Sequence, residues 1–377
     1  MTAAREIAIV GASASGLFTA GLLARAGREV TIYERASKLD PPARTLIVTS
    51  AMRDYLGELG GGSVVNEIDR YELFANGQVG EVRLGRPDLI VERSVLIREL
   101  ADDAVAAGAE IVLGKRLVGF THSDEGFRVR FGSSNGEETI TSRIVVGADG
   151  ASSSVACAGG WGRQPTVPLL QAIVRLPEDL SPRATRVWFR PQDTPYFYWL
   201  IPDSSETGAL GVIGERTHGL RDRFDRFLAD KGLQPLEYQG ARIPRYARWV
   251  RVHKKFTAGD VYLVGDAAGQ VKVSTVGGLV TGFRGALGVA ESILVRPSRR
   301  VLRSLKRELD AHLLVRRIVH GFGETEYCRL LDLLNDPTRD SLQRHTRDEA
   351  TSMLWRLAFK QLRLVPLSVK GLLTRQG

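Results

Sequence analysis

The residues best placed to do chemistry sit in small-residue turns that follow short apolar runs. The first is Gly11-Ala12-Ser13-Ala14-Ser15-Gly16, lying between the run Ile7 to Val10 and a segment with helical periodicity through Leu17, Leu22 and Leu23. Such a turn opens a helix whose N-terminal N–H groups and positive dipole end receive a pyrophosphate. Gly11 makes the turn and Gly16 suits close packing of helix on strand; Ser13 stands where a dinucleotide fingerprint has its middle glycine. Serine is the least obstructive substitute there, because its hydroxyl can itself donate to phosphate. A second strand, Val30 to Tyr33, leads to Glu34, 18 positions after Gly16 and able to accept from both hydroxyls of an adenosine ribose. A carboxylate at that point repels a 2′-phosphate, so the pocket favours FAD or NAD over NADP.

Two further turns of this kind follow. Ile144 to Val146 runs into Gly147-Ala148-Asp149-Gly150, and "VYLVGDAAG" carries Gly265 and Asp266 before a long helix. A carboxylate can anchor sugar hydroxyls, and nearby glycines admit backbone beside phosphate and ring. The elements that must position these turns are legible around them. Residues 68–85 alternate like a hairpin about Asn76-Gly77, "ERSVLIRELADDAVAAGAEIVLG" reads as a helix closing at Gly108 and then a strand, and residues 115–147 form a meander. Residues 169–214 are again strand-rich. The expected fold is therefore α/β: a Rossmann-like dinucleotide-binding domain, for FAD or NAD, assembled from residues 1–67, 86–158 and 257–297, an inserted β-sheet substrate domain from 68–85 and 159–256, and C-terminal helices over 298–377.

With 377 residues, 43% hydrophobic and 25% charged, the chain can bury a large core. Its longest apolar runs are broken by charge or glycine and fall short of a membrane span. The N-terminus moves directly into the first strand, from which no signal peptide is expected. Cys157 and Cys328 lie far apart without metal or disulfide spacing, which suits a reducing cytoplasm; both thiols are expected to be buried and inert, and no metal site is expected. Net charge is +9, and from Arg296 onward 17 Lys or Arg face 9 Asp or Glu. The segments "RRVLRSLKRELDAHLLVRRIVHGF" and "MLWRLAFKQLRLVPLSVKGLL" space leucines at three and four with arginines opposite. Such helices either lie on anionic lipid, as peripheral contacts on the inner face of a membrane, or cap the enzyme. No nucleic-acid partner is expected, since no reading motif or aromatic interleaving accompanies the charge.

"GASASG" with Glu34, "GADGASSSVA" and "VYLVGDAAG" together resemble, in order and rough spacing, the FAD-dependent oxidoreductases built like p-hydroxybenzoate hydroxylase. The resemblance implies that Asp266 contacts the ribityl chain of FAD and that Asp149 and Gly150 border cofactor and pyridine nucleotide. "ERSVLIREL" resembles the cofactor-contacting arginine segment, with Arg93 or Arg98 as candidate; Arg44 and Arg35, after the ribose acid, are further cofactor candidates. Within that superfamily "GDAAGQVKVSTVGGLVTG" is most similar to the geranylgeranyl reductase family, whose pattern runs roughly GDAAG-x-x-K-P-x-T-G-G-G-I. Gly265 to Gly269, Lys272, Thr275, Gly277 and Gly278 match; Val273 and Val276 depart, so a differently shaped loop beside the flavin ring is expected. Aromatic hydroxylases place His, Pro and Asn where this chain has Gly269, Val273 and Val280.

"TPYFYWLIP" resembles the reductases' P-x-x-Y-x-W-x-F-P motif, aligned on Trp199 and Pro202, which makes Tyr196, Phe197, Tyr198 and Trp199 the candidate substrate-site residues; a core aromatic strand would also account for part of this pattern. The same stretch is close to the W-x-W-x-I-P of flavin halogenases, but those need a lysine in a region where this chain has none from Leu39 to Gly114. The resemblance implies hydride transfer from reduced FAD to a carbon–carbon double bond of a prenyl or other lipophilic substrate, with transiently bound NADPH or NADH as electron donor because no second fingerprint is present. A monooxygenase of the same fold and a non-enzymatic prenyl carrier are the alternatives. Tyr196, Tyr198 and an ordered water are the candidate proton donors.

Overall fold

Apolar, β-branched runs bounded by turns pair into two eight-stranded sheets in the computed structural model of the chain, which describes residues 4–134, 136–295 and 300–332. The first sheet begins with β1 (Ala4–Val10), which passes through the glycine turn into α1 (Ala14–Arg25) and returns as β2 (Val30–Tyr33). The chain then enters the second sheet with β3 (Thr45–Val48), crosses α2 (Ala51–Leu56) and forms the hairpin β4 (Val64–Ala75) and β5 (Gln78–Glu92). Helix α3 (Arg93–Ala106) brings it back to β6 (Glu110–Val112), β7 (Arg116–Ser123), β8 (Gly126–Ser133) and β9 (Gly136–Gly147), followed by α4 (Ser154–Ala158). The second sheet is completed by β10 (Thr166–Arg175), β11 (Ala184–Phe189), β12 (Tyr198–Pro202), β13 (Thr207–Ile213), α5 (Leu220–Asp230) and β14 (Pro235–Pro244). β15 (His253–Phe256) and β16 (Gly259–Leu263) rejoin the first, before α6 (Leu279–Leu294), α7 (Arg300–Val319) and α8 (Glu324–Asp332).

The first sheet runs β15-β16-β9-β1-β2-β6, with β7 and β8 continuing from β9. Its centre is parallel: β1 pairs with β2 and β9, and β9 with β16. Near-continuous burial of Ile7 to Val10 and Val145 to Val146 follows from helices packing on such a sheet. The second sheet runs β14-β10-β13-β12-β11-β4-β5-β3 and is antiparallel except where β11 meets β4. One of its faces packs on α5 through Phe224 and Phe227; the other carries Leu169, Trp199, Ile201 and Ile213. Ala75 pairs with Gln78 across the Asn76-Gly77 turn, as the alternation predicts.

Two expectations are corrected and one pair of alternatives is narrowed. The second sheet takes more of the chain than 68–85 and 159–256: β3, the start of β4 at Val64 and β5 through Glu92 all pair in it, while β15 pairs with β16 in the first sheet. The signal was weak because β3 is a four-residue strand and Leu89 to Val91 are all buried, which hides the two-residue period. Cys157 is exposed rather than buried, being on the five-residue α4 at the surface. Of the two alternatives for the basic helices, α7 is placed as a cap: Leu302, Leu305 and Leu309 are buried, while Arg300, Arg303, Lys306, Arg307, Arg317 and Leu314 are exposed. The second basic segment, from Met353 on, lies outside the described residues. Among the described residues no helix is long and apolar enough to cross a membrane.

Candidate functional site

Strand pairing brings the three turns together. Val10 and Leu263 both register with Gly147, so the turns leave the carboxyl ends of adjacent parallel strands, where α/β sheets bind nucleotides. The Ala148 N–H donates to the Val10 carbonyl at 2.8 Å, and Val264 N–H to Gly147 at 2.9 Å, locking the turns side by side. Gly11 has φ +102°, and a Cβ there would meet the Ala148 carbonyl oxygen at 2.6 Å, so only glycine permits this approach. Ser13 caps α1: its Oγ accepts from Gly16 N–H at 3.2 Å, leaving the hydroxyl proton to donate outward. Glu34 sits at the end of β2 and accepts from Ala12 N–H at 2.8 Å and Ala36 N–H at 3.0 Å. Each carboxylate oxygen keeps a further lone pair for a ribose hydroxyl.

Asp266 opens a one-turn helix, Gly265–Ala268, and faces Arg44 and Arg93 across one cavity. Burial pushes its carboxyl up, against the pull of both guanidinium groups. Burial likewise pushes the Arg44 guanidinium down, with Arg93 adding to the effect and Asp266 opposing it. The backbone supports the arginines: Arg44 N–H donates to Glu92 at 3.1 Å, and Arg93 N–H to the Arg44 carbonyl at 3.0 Å.

These residues fit FAD. Arg44 Nε is sealed from solvent without a hydrogen-bond partner, and two guanidinium groups against one carboxylate leave positive charge beside the helix N-terminus, as a pyrophosphate requires. Glu34, Ser13 to Gly16, Arg44, Arg93, Gly150, Gly265, Asp266, Gly277 and Gly278 are the residues that would hold it. Three cofactor candidates fall elsewhere. Asp149 accepts from the Ser153 hydroxyl and from Ser154 and Val155 N–H, at 2.6 and 3.1 Å for the latter two, so its carboxylate secures its own loop and presents Gly150. Arg98 pairs with Asp40 at 3.2 Å on the surface, five residues beyond Arg93 and on another side of α3, and Arg35 is exposed.

The cavity, of about 670 Å³, continues from this end along the free face of the second sheet to α7 and α8. Tyr196, Phe197 and Trp199 line it. Phe197 and Trp199 meet edge to face at 6.0 Å and 66°. Trp199 registers with Gly211 on β13, where a Cβ would come within 2.1 Å of the indole, so the ring lies flat over a position with no side chain. Tyr198 is the correction here. Strand alternation turns it to the opposite face, fully buried and stacked on Phe227 with ring centres 3.9 Å apart.

The loop after Asp266 closes the cavity's cofactor end. Lys272 and Gly277 form a bridge, and Val276 N–H donates to the Lys272 carbonyl at 2.7 Å. Val276 holds φ +55°, the left-handed region that a β-branched residue rarely enters. Valine here holds a backbone that glycine adopts freely and adds a side chain that packs on the apolar cluster containing Trp199. Ser274, His312, Arg316 and Tyr327 also line the cavity and were not singled out from sequence. The available signal was the α7 stripe Leu302, Leu305, Leu309, His312, Arg316, in which helical spacing carries a histidine and an arginine into apolar positions.

The family model for the FAD binding domain matches residues 4–295. Digeranylgeranylglycerophospholipid reductase 2 of Methanothermobacter thermautotrophicus is 25% identical over 370 residues, covering 90% of this chain and 94% of that protein. Geranylgeranyl diphosphate reductase of Synechocystis is 26% identical over 315 residues, covering 77% and 75%. The crystal structure of a geranylgeranyl bacteriochlorophyll reductase-like protein from Thermoplasma acidophilum shares the fold, with TM-score 0.75 and 17% identity over 98% of both chains. Converging cofactor turns, an arginine pair with an orphaned guanidinium nitrogen and a match over most of its length place the chain in the FAD binding domain family, as an FAD-dependent oxidoreductase related to the geranylgeranyl and digeranylgeranylglycerophospholipid reductases.

Proposed function

We propose that the chain reduces carbon–carbon double bonds of a prenyl or comparably lipophilic substrate. The observation that carries this reading is the single cavity running from the cofactor residues onto the apolar face of the second sheet. The names of the related reductases agree with it. When bound, FAD supplies hydride to one alkene carbon, and a transiently bound NADPH or NADH supplies the electrons. The protein's own part is to position and to exclude water. Trp199 and Phe197 form an aromatic wall that orients an alkene with few polar handles. Burial pushes the Tyr196 phenol up, against the pull of Arg316 and Arg245, which makes it a weaker acid than a free tyrosine; it and an ordered water are the candidates for protonating the second carbon, Tyr198 being on the other face.

The test is an anaerobic incubation of chemically reduced holoenzyme with a geranylgeranyl substrate, read by mass spectrometry. A product heavier by two hydrogens and free of added oxygen is expected. A product that forms only in air and carries label from heavy-isotope oxygen would make the protein a monooxygenase. A purified protein that is colourless and takes up no FAD would make it a carrier.

A further inference from the structure

Helix α7 brings two polar groups, His312 and Arg316, to the substrate half of the cavity. Arg316 is 6% exposed, and its guanidinium carbon lies 3.7 Å from the centre of the Tyr196 ring. One nitrogen, Nη2, donates to the Pro195 carbonyl at 2.8 Å and to His320 Nδ1 at 2.9 Å. A guanidinium has five N–H donors; among the described residues Nε and Nη1 have no acceptor, and the side chain lines the cavity. No carboxylate of the described residues forms an ion pair with it. Glu215, the acid whose field reaches it, is engaged by His320 at 3.2 Å, and Arg245 adds like charge. One turn away on the same inward face, His312 Nδ1 lies 2.6 Å from Ser274 Oγ, so this corner is polar, whereas the sheet opposite sets Leu169, Trp199, Ile201 and Ile213 beside the polar Gln171, Thr185 and Arg242.

A buried charge in a folded protein is normally paired, because desolvation is not otherwise offset. Stacking on Tyr196 and a carbonyl acceptor stabilise the guanidinium but do not neutralise it. The planar fork matches the two oxygens of a phosphate or carboxylate. We infer that Arg316 anchors an anionic oxygen head group of an amphiphilic substrate whose chain lies along the apolar face, with the reacting alkene toward Trp199. This rests on the prenyl-reductase reading above and narrows it to substrates carrying an anion.

The test is equilibrium binding to oxidised holoenzyme, read by calorimetry without turnover. The probes are geranylgeraniol, geranylgeranyl phosphate, geranylgeranoic acid and inorganic phosphate, against wild type, Arg316→Met and Arg316→Lys. Wild type should hold the phosphate or the carboxylate about 10- to 100-fold more tightly than the alcohol, the size of one to two charge-assisted hydrogen bonds. Arg316→Met should erase that preference and keep the alcohol's affinity, while Arg316→Lys retains part of it. Equal binding of alcohol and anions by wild type overturns the anchor and leaves the reductase reading standing. Parallel loss of both in Arg316→Met, or loss of bound flavin, makes Arg316 structural and also overturns it. Displacement of the prenyl anions by inorganic phosphate at comparable concentration makes this a free-phosphate site and overturns the head-group assignment. Failure of every prenyl probe to bind wild type defeats the prenyl reading and the anchor with it.

Discussion

The carboxylate of Glu34 accepts from Ala12 N–H at 2.8 Å and from Ala36 N–H at 3.0 Å, so it braces the cofactor turn as well as offering lone pairs to ribose. Glu34→Ala would disturb both functions at once. Glu34→Gln keeps the shape and one acceptor oxygen, though its NH2 loses one of the two backbone donors, and it should weaken FAD by about tenfold or more, the worth of a charge-assisted hydrogen bond. An equilibrium flavin titration checks this; unchanged affinity would remove Glu34 from the adenosine site. Val276 supplies a second test. Its φ of +55° is costly for a β-branched side chain but not for glycine. Alanine would lose the packing on the apolar cluster around Trp199 and keep the strain, whereas glycine loses the packing and relieves it. Val276→Gly should therefore be about 1 kcal/mol more stable than Val276→Ala in denaturant unfolding, the reverse of the ordinary order. If alanine proves the more stable, the loop does not hold valine in the left-handed region.

At the scale of elements, β12 separates two kinds of aromatic residue. Trp199 faces the cavity over Gly211, and Tyr198 faces α5 in the core. Trp199→Ala should slow alkene reduction while leaving flavin affinity unchanged, because the wall orients substrate without holding the dinucleotide. Tyr198→Ala should do the opposite, destabilising the fold by about 3–5 kcal/mol as other large core truncations do, with the remaining folded enzyme turning over normally. Single-turnover kinetics and unfolding curves on both variants decide it; equal kinetic defects would contradict the facing assigned to β12. This strand also shows where sequence stops being informative. The β1-α1-β2 unit was legible because a buried parallel strand, a glycine turn and a capped helix each leave a local mark. "YFYW" has aromatic residues on both faces, so alternation alone cannot tell which pair meets the substrate. Arg93 and Arg98 were equally plausible for a similar reason: the helix register that sends one to the cavity and the other to Asp40 depends on how α3 packs. Arg316 was hidden altogether, since its role comes from α7 lying against a sheet built more than a hundred positions earlier in the chain.

For the whole molecule, two sheets with different tasks share one cavity, and α7 closes it from the side opposite the second sheet's Trp199 face. That placement changes what the basic C-terminal helix can do. With Leu302, Leu305 and Leu309 buried against the protein, α7 leaves Leu314 as its one large exposed apolar side chain, too little to form a face that inserts into a bilayer. What it presents outward is Arg300, Arg303, Lys306, Arg307 and Arg317, with Lys306 tied to Asp310 at 2.5 Å. Basic side chains near an anionic membrane contribute about 1 kcal/mol each, and the effect fades within a Debye length of about 8–10 Å at physiological salt. Contact made by α7 alone should thus be electrostatic: holoenzyme should sediment with anionic vesicles at low ionic strength, release as salt rises, and ignore neutral vesicles throughout. Charge reversal by Arg303→Glu with Arg307→Glu should abolish recovery without changing flavin content or unfolding midpoint by more than a surface substitution does. Recovery that persists in high salt would mean that apolar surface outside α7 enters the membrane, and equal recovery with neutral and anionic vesicles would leave α7 as a cap on the cavity with no part in lipid contact.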